Sequence, residues 1–334
     1  MVDFWQIIQN AAVELISPTT AAYALAALGL AIHFGYTGLL NFGQAGFMAI
    51  GAYGYAISTL TLGFPVWGAV LVGVGGSIIF ALILGIPTLR LRADYLAIVT
   101  IAASEILRLI FTTNSLDAVT GSADGLSAYK GGFAALNPFP KGTYGFGPFT
   151  MNEYDLWVRV VGWTLVILGG LLAWQLMRSP WGRVIKGIRE DEDAVRALGK
   201  NVYFYKMQSL IIGGVFGTLG GMIFIMPRAV VPANYATTLT FFIYTILLLG
   251  GVGSLVLGIG QRLWPLAQRL HAGEGHAHRM PKPGLAWQTA ALWTLGLLLL
   301  PFALRFGSPL GTAAAFALLT VAVAADTWNL LRKR

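Results

Sequence analysis

Seven of the chain's 22 basic residues fall within 29 positions, in the run Arg178 to Lys206, RSPWGRVIKGIREDEDAVRALGKNVYFYK. Arg178, Arg183, Lys186, Arg189, Arg196, Lys200 and Lys206 stand there with Glu190, Asp191, Glu192 and Asp193, in a chain that is otherwise 56% hydrophobic and only 11% charged. A charge at the centre of a bilayer costs at least ~2.5–3.5 kcal/mol on insertion scales. This island therefore belongs in water, between two membrane-spanning segments. Pro180 suits a helix entrance, and Val184, Ile188, Val195 and Leu198 recur at roughly helical spacing. The pattern predicts one short helix with an apolar stripe and a charged face, stopped by Gly199. Such a helix is either a solvated connection or a docking element whose stripe enters a groove on a soluble partner.

The apolar remainder sets the fold class, an all-α polytopic integral membrane protein. With ~20 residues per crossing, spans are expected near 21–36, 44–63, 66–89, 94–112, 156–177, 207–227, 239–260, 286–304 and 309–326. That is about nine, within a range of eight to ten, in a single transmembrane domain covering 1–334. If the island 178–206 is cytoplasmic, so are the turn at Arg90 and Arg92, the loop 261–285 and the tail Arg332, Lys333, Arg334. Sixteen basic residues then lie inside and six outside, the six being Arg108, Lys130, Lys141, Arg159, Arg228 and Arg305. This is a strong positive-inside bias. It accounts for the excess of eight positive charges through membrane orientation, without nucleic acid as a partner. The absence of Cys excludes disulfides and thiolate chemistry, and the first 20 residues show no cleavable signal.

One stretch is unusual for membrane depth. Gly35 to Gly54, GYTGLLNFGQAGFMAIGAYG, mixes six glycines with Asn41 and Gln44. Re-entrant or broken backbone survives in a bilayer only where protein buries it or a water-filled path touches it. Asn41, Gly43, Gln44 and Gly46 are therefore candidates for a translocation path, the alternative being that the glycines simply allow close packing. Elsewhere, Gly73, Ser77, Ala81 and Gly85, and Gly213, Gly217 and Gly221, form four-residue ladders that predict tight helix contacts. Glu105 and Arg108 lie one turn apart inside an apolar run and are expected to form an intramembrane ion pair. The interval 113–155 is long enough for a folded extracytoplasmic cap. Asp155 and Arg159 are expected to pair at the helix entrance that follows. His271, His276 and His278 have a spacing that a metal can use, but lie in a Gly- and Pro-flanked loop that reads as solvated chain, so no metal site or cofactor is expected.

The chain has no phosphate-binding loop, metalloprotease helix or nucleophile elbow. It is not expected to be an enzyme, and a transporter without its own motor needs one from another subunit. Three motifs in order, GYTGLLNFGQAGFMAIGAYG (35–54), LRLRADYLAIVTIAASEILRL (89–109) and RSPWGRVIKGIREDEDAVRALGKN (178–201), resemble the longer permease subunit of branched-chain amino acid ABC importers. The resemblance implies a bacterial inner-membrane protein working with a sister permease, two ATP-binding subunits and an extracytoplasmic substrate-binding protein. It also implies that Asp193, Ala194, Val195 and Gly199 occupy the loop that contacts the ATPase, so that Arg189, Glu190 and the run to Gly199 form the coupling loop. Beyond Gly253 the pattern departs from that family. Urea and short-chain amide permeases share the motifs and stand as alternatives. An ion-coupled secondary transporter and an enzyme using the histidine loop are rivals from other classes.

Overall fold

The computed structural model describes residues 9, 13–90, 93–145 and 149–250. The spans expected at 286–304 and 309–326, the loop 261–285 with its histidines, and the basic tail lie outside the described residues.

The chain enters through α1 (Pro18–Leu30), capped by Ser17, whose hydroxyl accepts the Thr20 amide. It runs on without interruption into a wider π-helical turn, Ala31–Thr37. An extended run follows, and then α2 (Gln44–Leu60). Next come α3 (Val66–Thr88) and α4 (Ala93–Thr112), then the short α5 (Asp117–Thr120) and α6 (Gly131–Ala135). A two-stranded antiparallel hairpin, β1 (Thr143–Tyr144) and β2 (Met151–Asn152), leads into α7 (Glu153–Arg178). The island follows as α8 (Pro180–Glu190) and α9 (Glu192–Ala197), and the described part closes with α10 (Val202–Ile225) and α11 (Thr237–Gly250).

Four of these helices, in α3, α4, α7 and α10, are each long and apolar enough to cross a bilayer. The others match the expected positions at 21–36, 44–63 and 239–260, with ends shifted by a few residues where described. The helical, polytopic membrane architecture thus holds.

α10 is the axis of the bundle. Its residues Gly213, Gly217, Gly220 and Gly221 lie so close to neighbouring chain that added Cβ atoms would overlap Gly29, Gln44, Ala22 and Met48. The ladder on α3 does the same work: Ser77 and Ala81 are fully buried, and Gly73 and Gly85 receive Met222 and Met207 of α10. Lipid tails are as apolar as side chains, so helices in a membrane gain association mainly from such close contact. The ladders therefore serve packing, as their spacing predicted. α7 lies more peripherally, touching α1 through Gly162 and Gly169, and exposes Ile167, Leu168, Leu171 and Leu172 outward, as a lipid-facing helix does.

The described residues of the interval 113–155 are folded, and several of them pack against the end of α10. Leu126 and Val230 exchange two backbone hydrogen bonds, and the Tyr129 hydroxyl donates to the Ile225 and Arg228 carbonyls at the end of α10. Trp157 of α7 stacks on Phe133 and donates its indole N–H to the Phe133 carbonyl. The expected Asp155–Arg159 pair does not form. Asn152 caps α7 by accepting the Asp155 amide, and Arg159 donates to the Met151 sulfur instead.

Candidate functional site

Two features carry the site, the break between α1 and α2 and the island at the end of the bundle. The break is built on a reversal. α1 descends antiparallel to α10, and its π turn ends at Thr37, whose hydroxyl shares a 2.6 Å hydrogen bond with Ser209 of α10. Gly38 then takes a left-handed conformation (φ 74°), which turns the chain back into the bundle. α2 starts only at Gln44, beside Gly213 and Gly217 and against Thr100 of α4. Those contacts lie seven residues into α4 and eleven into α10, so α2 opens roughly 10–16 Å above the end where those helices start. That is mid-depth in a hydrocarbon core ~30 Å thick.

Unpaired backbone at that depth is expensive, and many polar groups of the break find partners across the bundle. The Phe42 amide donates to Thr100 Oγ1 (3.0 Å), Gly43 to Asn41 Oδ1 (2.9 Å) and Ala45 to Thr240 Oγ1 of α11 (2.9 Å). The Tyr244 hydroxyl donates to the Asn41 carbonyl at 3.0 Å. Gln44 Nε2 donates to the Ala26 and Gly213 carbonyls at 3.1 and 3.4 Å. His33 completes the knot. Its Nε2 lies 3.0 Å from the Leu210 carbonyl, an acceptor only, so the proton is on Nε2. Nδ1 is then free to accept from Asn41 Nδ2 at 3.0 Å.

Asn41, Gly43, Gln44 and Gly46 are thus brought together, all buried inside this subunit, with Gly43 and Gly46 closed against Thr100 and Ser104 of α4. The partners that satisfy them, His33, Thr100 and Thr240, were not singled out from sequence. A lone histidine inside an apolar span was the available signal. Phe42 alone of residues 41–46 is half-buried, stacked on Tyr244 with ring centroids 4.6 Å apart and adjoining the exposed Phe241. Glu105 and Arg108 do pair, at 2.5 Å, with side chains 37% and 23% exposed on α4.

The island differs from its predicted form in two respects. It is two helices, because Asp191 leaves the helical conformation (φ −153°, ψ 100°) to end α8 and caps α9 by accepting the Ala194 amide. Its apolar stripe is also not free. Ile185, Ile188 and Val195 are buried with Val202, against Tyr36, Trp181, Val184 and Tyr205. Only Leu198, at 78% exposure, keeps the outward position expected of a docking stripe, beside exposed Ala194, Ala197 and Asp193. The reason is geometric: α8 packs on the π turn after α1 and on the start of α10, so the nearest apolar surface is the protein's own. Gly199 stops α9 as predicted, at φ 76°. The carboxylates are shared among neighbours. Arg196 spans Glu192 and Asp193, each at 2.9 Å, and Lys206 also reaches Glu192.

The two features are physically joined. Arg189, last basic residue of α8, donates from its guanidinium to the Gly35 carbonyl in the π turn, and its side chain covers Gly38. Lys186 lies over the Tyr36 ring, and Trp181 donates to Gln208 of α10. Among the described residues no cluster of three metal-ligating side chains occurs.

Residues 13–259 match the family model described as branched-chain amino acid transport system / permease component. The high-affinity branched-chain amino acid transport system permease protein LivM of Escherichia coli is 30% identical over 267 residues, covering 75% of this chain and 61% of that protein. The probable branched-chain amino acid transport permease protein LivM of Methanocaldococcus jannaschii is 28% identical over 270 residues, 70% of this chain and 73% of that one. The nucleoside ABC transporter permease protein NupC of Lactococcus lactis is 26% identical over 211 residues, 56% of this chain and 58% of that one. This chain therefore spans about three fifths of the length of the E. coli relative. No solved structure matches it. With the family model covering residues 13–259, the chain belongs to the permease component family of branched-chain amino acid transport systems.

Proposed function

We propose that the chain is the transmembrane permease subunit of an ATP-driven importer of branched-chain amino acids, leucine, isoleucine and valine, in the bacterial inner membrane. It works with a sister permease, two ATP-binding subunits and an extracytoplasmic substrate-binding protein, and carries no catalysis itself. Family membership and the names of the E. coli and M. jannaschii relatives support the substrate class. The comparisons favour neither a urea or amide permease nor an ion-coupled transporter.

The observation that carries the mechanism is the bond from Arg189 to the Gly35 carbonyl. In this reading Arg189, Glu190, Asp193, Ala194, Val195 and Gly199 form the coupling loop, with the exposed Asp193, Ala194 and Leu198 meeting the ATPase. Closure of the ATPase pair pushes α8, and the push reaches the π turn through Arg189 before it reaches any other part of α1. From there it passes to His33 and Asn41 and so to the start of α2. Asn41, Gly43, Gln44 and Gly46 hold the break at mid-depth, while Phe42 and the partly exposed Glu105–Arg108 pair stand on the side open to the path and the sister subunit. The cap 113–155 receives the binding protein. Substrate selection by that protein removes the need for a charged site in the membrane.

The test is purification of the tagged chain from its native membrane in mild detergent, identification of co-purifying subunits, and leucine uptake with ATP hydrolysis in proteoliposomes. Recovery of two ATP-binding subunits and a sister permease is expected. Arg189→Ala should keep that assembly and its ATP hydrolysis while lowering uptake at least fivefold. Uptake by Arg189→Ala at the wild-type rate would remove this bond from the mechanism, and recovery of the chain alone, without ATPase activity, would remove the importer reading.

A further inference from the structure

A cavity of about 420 Å³ lies between the end of α3 and the start of α10, lined by Leu89, Arg90, Glu192, Arg196, Lys200, Asn201, Val202 and Tyr203. Its charge is unbalanced. Glu192 is the only carboxylate among its lining residues, and it is already engaged by Arg196 and by Lys206. Arg90 and Lys200 have no carboxylate partner among the described residues, and Arg90 is held over the Tyr203 ring, 5.4 Å from its centre. A cavity with two unneutralised cations and a third that is shared fits an anion, and a phosphate group suits the planar guanidinium donors.

The surroundings specify what carries that phosphate. The cavity sits where two membrane-spanning helices end, which is the level of lipid headgroups. Above it on α3, Ile79, Ile83 and Ile86 are 60%, 63% and 55% exposed, and their spacing of four and three residues puts them on one face of the helix, which ends at Thr88, two residues before Arg90. An apolar stripe about two turns long thus ends about one turn before Leu89 and Arg90, which line the cationic cavity. A soluble anion would engage the cavity alone, whereas a molecule with a phosphate head and an acyl tail packs along the stripe as well. We propose that this site binds an anionic phospholipid, with its phosphodiester against Arg90 and Lys200 and an acyl chain along Ile79, Ile83 and Ile86. Because Arg196 and Glu192 belong to the island, a lipid seated here ties α9 to the α3 end and biases the position of the coupling segment. The proposal does not depend on which substrate is carried.

The experiment is native mass spectrometry of the full-length chain in detergent, titrated with phosphatidylglycerol or phosphatidylcholine of identical acyl chains. Phosphatidylglycerol should be retained at least fivefold more strongly. Lys200→Gln, at an exposed residue whose side chain makes no ion pair among the described residues, should reduce that retention about fivefold, in line with the weight of one cation near an anionic surface. Arg90→Gln with Lys200→Gln should bring it to the phosphatidylcholine level, and Lys141→Gln in the cap should leave it unchanged. Ile83→Asn should weaken both lipids, which a purely ionic site would not show. Equal retention of the two lipids, or a preference unaltered by Lys200→Gln, would overturn the proposal. So would displacement of the lipid by millimolar inorganic phosphate, which marks a soluble-anion site. Loss of the preference once the ATP-binding subunits are bound would assign the cavity to a protein partner instead.

Discussion

The break at 38–43 and the island at 178–206 are the two polar interruptions of an apolar chain, and they solve opposite problems. The break lies where water is absent, so Asn41, Gln44 and His33 are fully buried and each is answered by a hydrogen-bonding partner from another part of the bundle. The island lies where water is present, so Asp193, at 89% side-chain exposure, and Arg196, at 62%, pair only locally while the apolar stripe turns inward. In the first region polarity determines the fold and in the second hydrophobicity does. Substitutions should therefore be costly in the break when they touch polar or close-packed groups, and cheap in the island when they touch charge.

The sharpest way to break the knot is steric. A Cβ at Gly213 would lie 2.2 Å from His33 Nε2 and 2.5 Å from the Gly29 carbonyl, so Gly213→Val should cost about 3 kcal/mol or more and lower the detergent melting temperature well below that of any island variant. Replacing a polar member comes next. Asn41→Leu strands the Gly43 amide and leaves His33 Nδ1 without its donor, a loss of about 1–2 kcal/mol, since hydrogen bonds within membranes are worth less than their burial suggests. Wild-type stability in that variant would mean that the knot is incidental.

Two island variants sharpen the other side. Gly199→Val forces a β-branched residue to φ 76°, at about 1–2 kcal/mol locally, in open space where nothing clashes. It should insert and lose no more stability than that while ATP-driven uptake falls. Unchanged uptake would take the helix stop out of the coupling. Arg196→Ala removes two exposed ion pairs and should change stability by less than about 1 kcal/mol, an effect that moderate salt should erase in the wild type as well. A larger loss would show that the island's surface charge holds the fold, contrary to the comparison.

Much of this was legible beforehand, and for identifiable reasons. The crossings through 250 follow from runs of ~20 apolar residues. Gly199 as a stop, Pro180 as an entrance and the four-residue ladders are local patterns with local causes. The division of the island at Asp191 was missed because its charges hid a capping residue, and the stripe's inward turn was missed because amphipathicity does not say which apolar surface a helix will meet. His33 went unmarked since one imidazole in a hydrophobic run carries no periodic signal.

Sequence by itself determined that the chain is a helical membrane protein, that a charged segment leaves the bilayer between 178 and 206, and that residues 35–54 carry glycines and polar side chains unusual for a span. The tertiary structure decided who answers the polar groups of that span. His33 reaches Leu210, Gln44 reaches Gly213 and Ala45 reaches Thr240 across 169 to 195 positions of chain. Such pairings leave no local pattern, because hydrocarbon demands only that each polar group be satisfied, and the packing of the bundle chooses the partner.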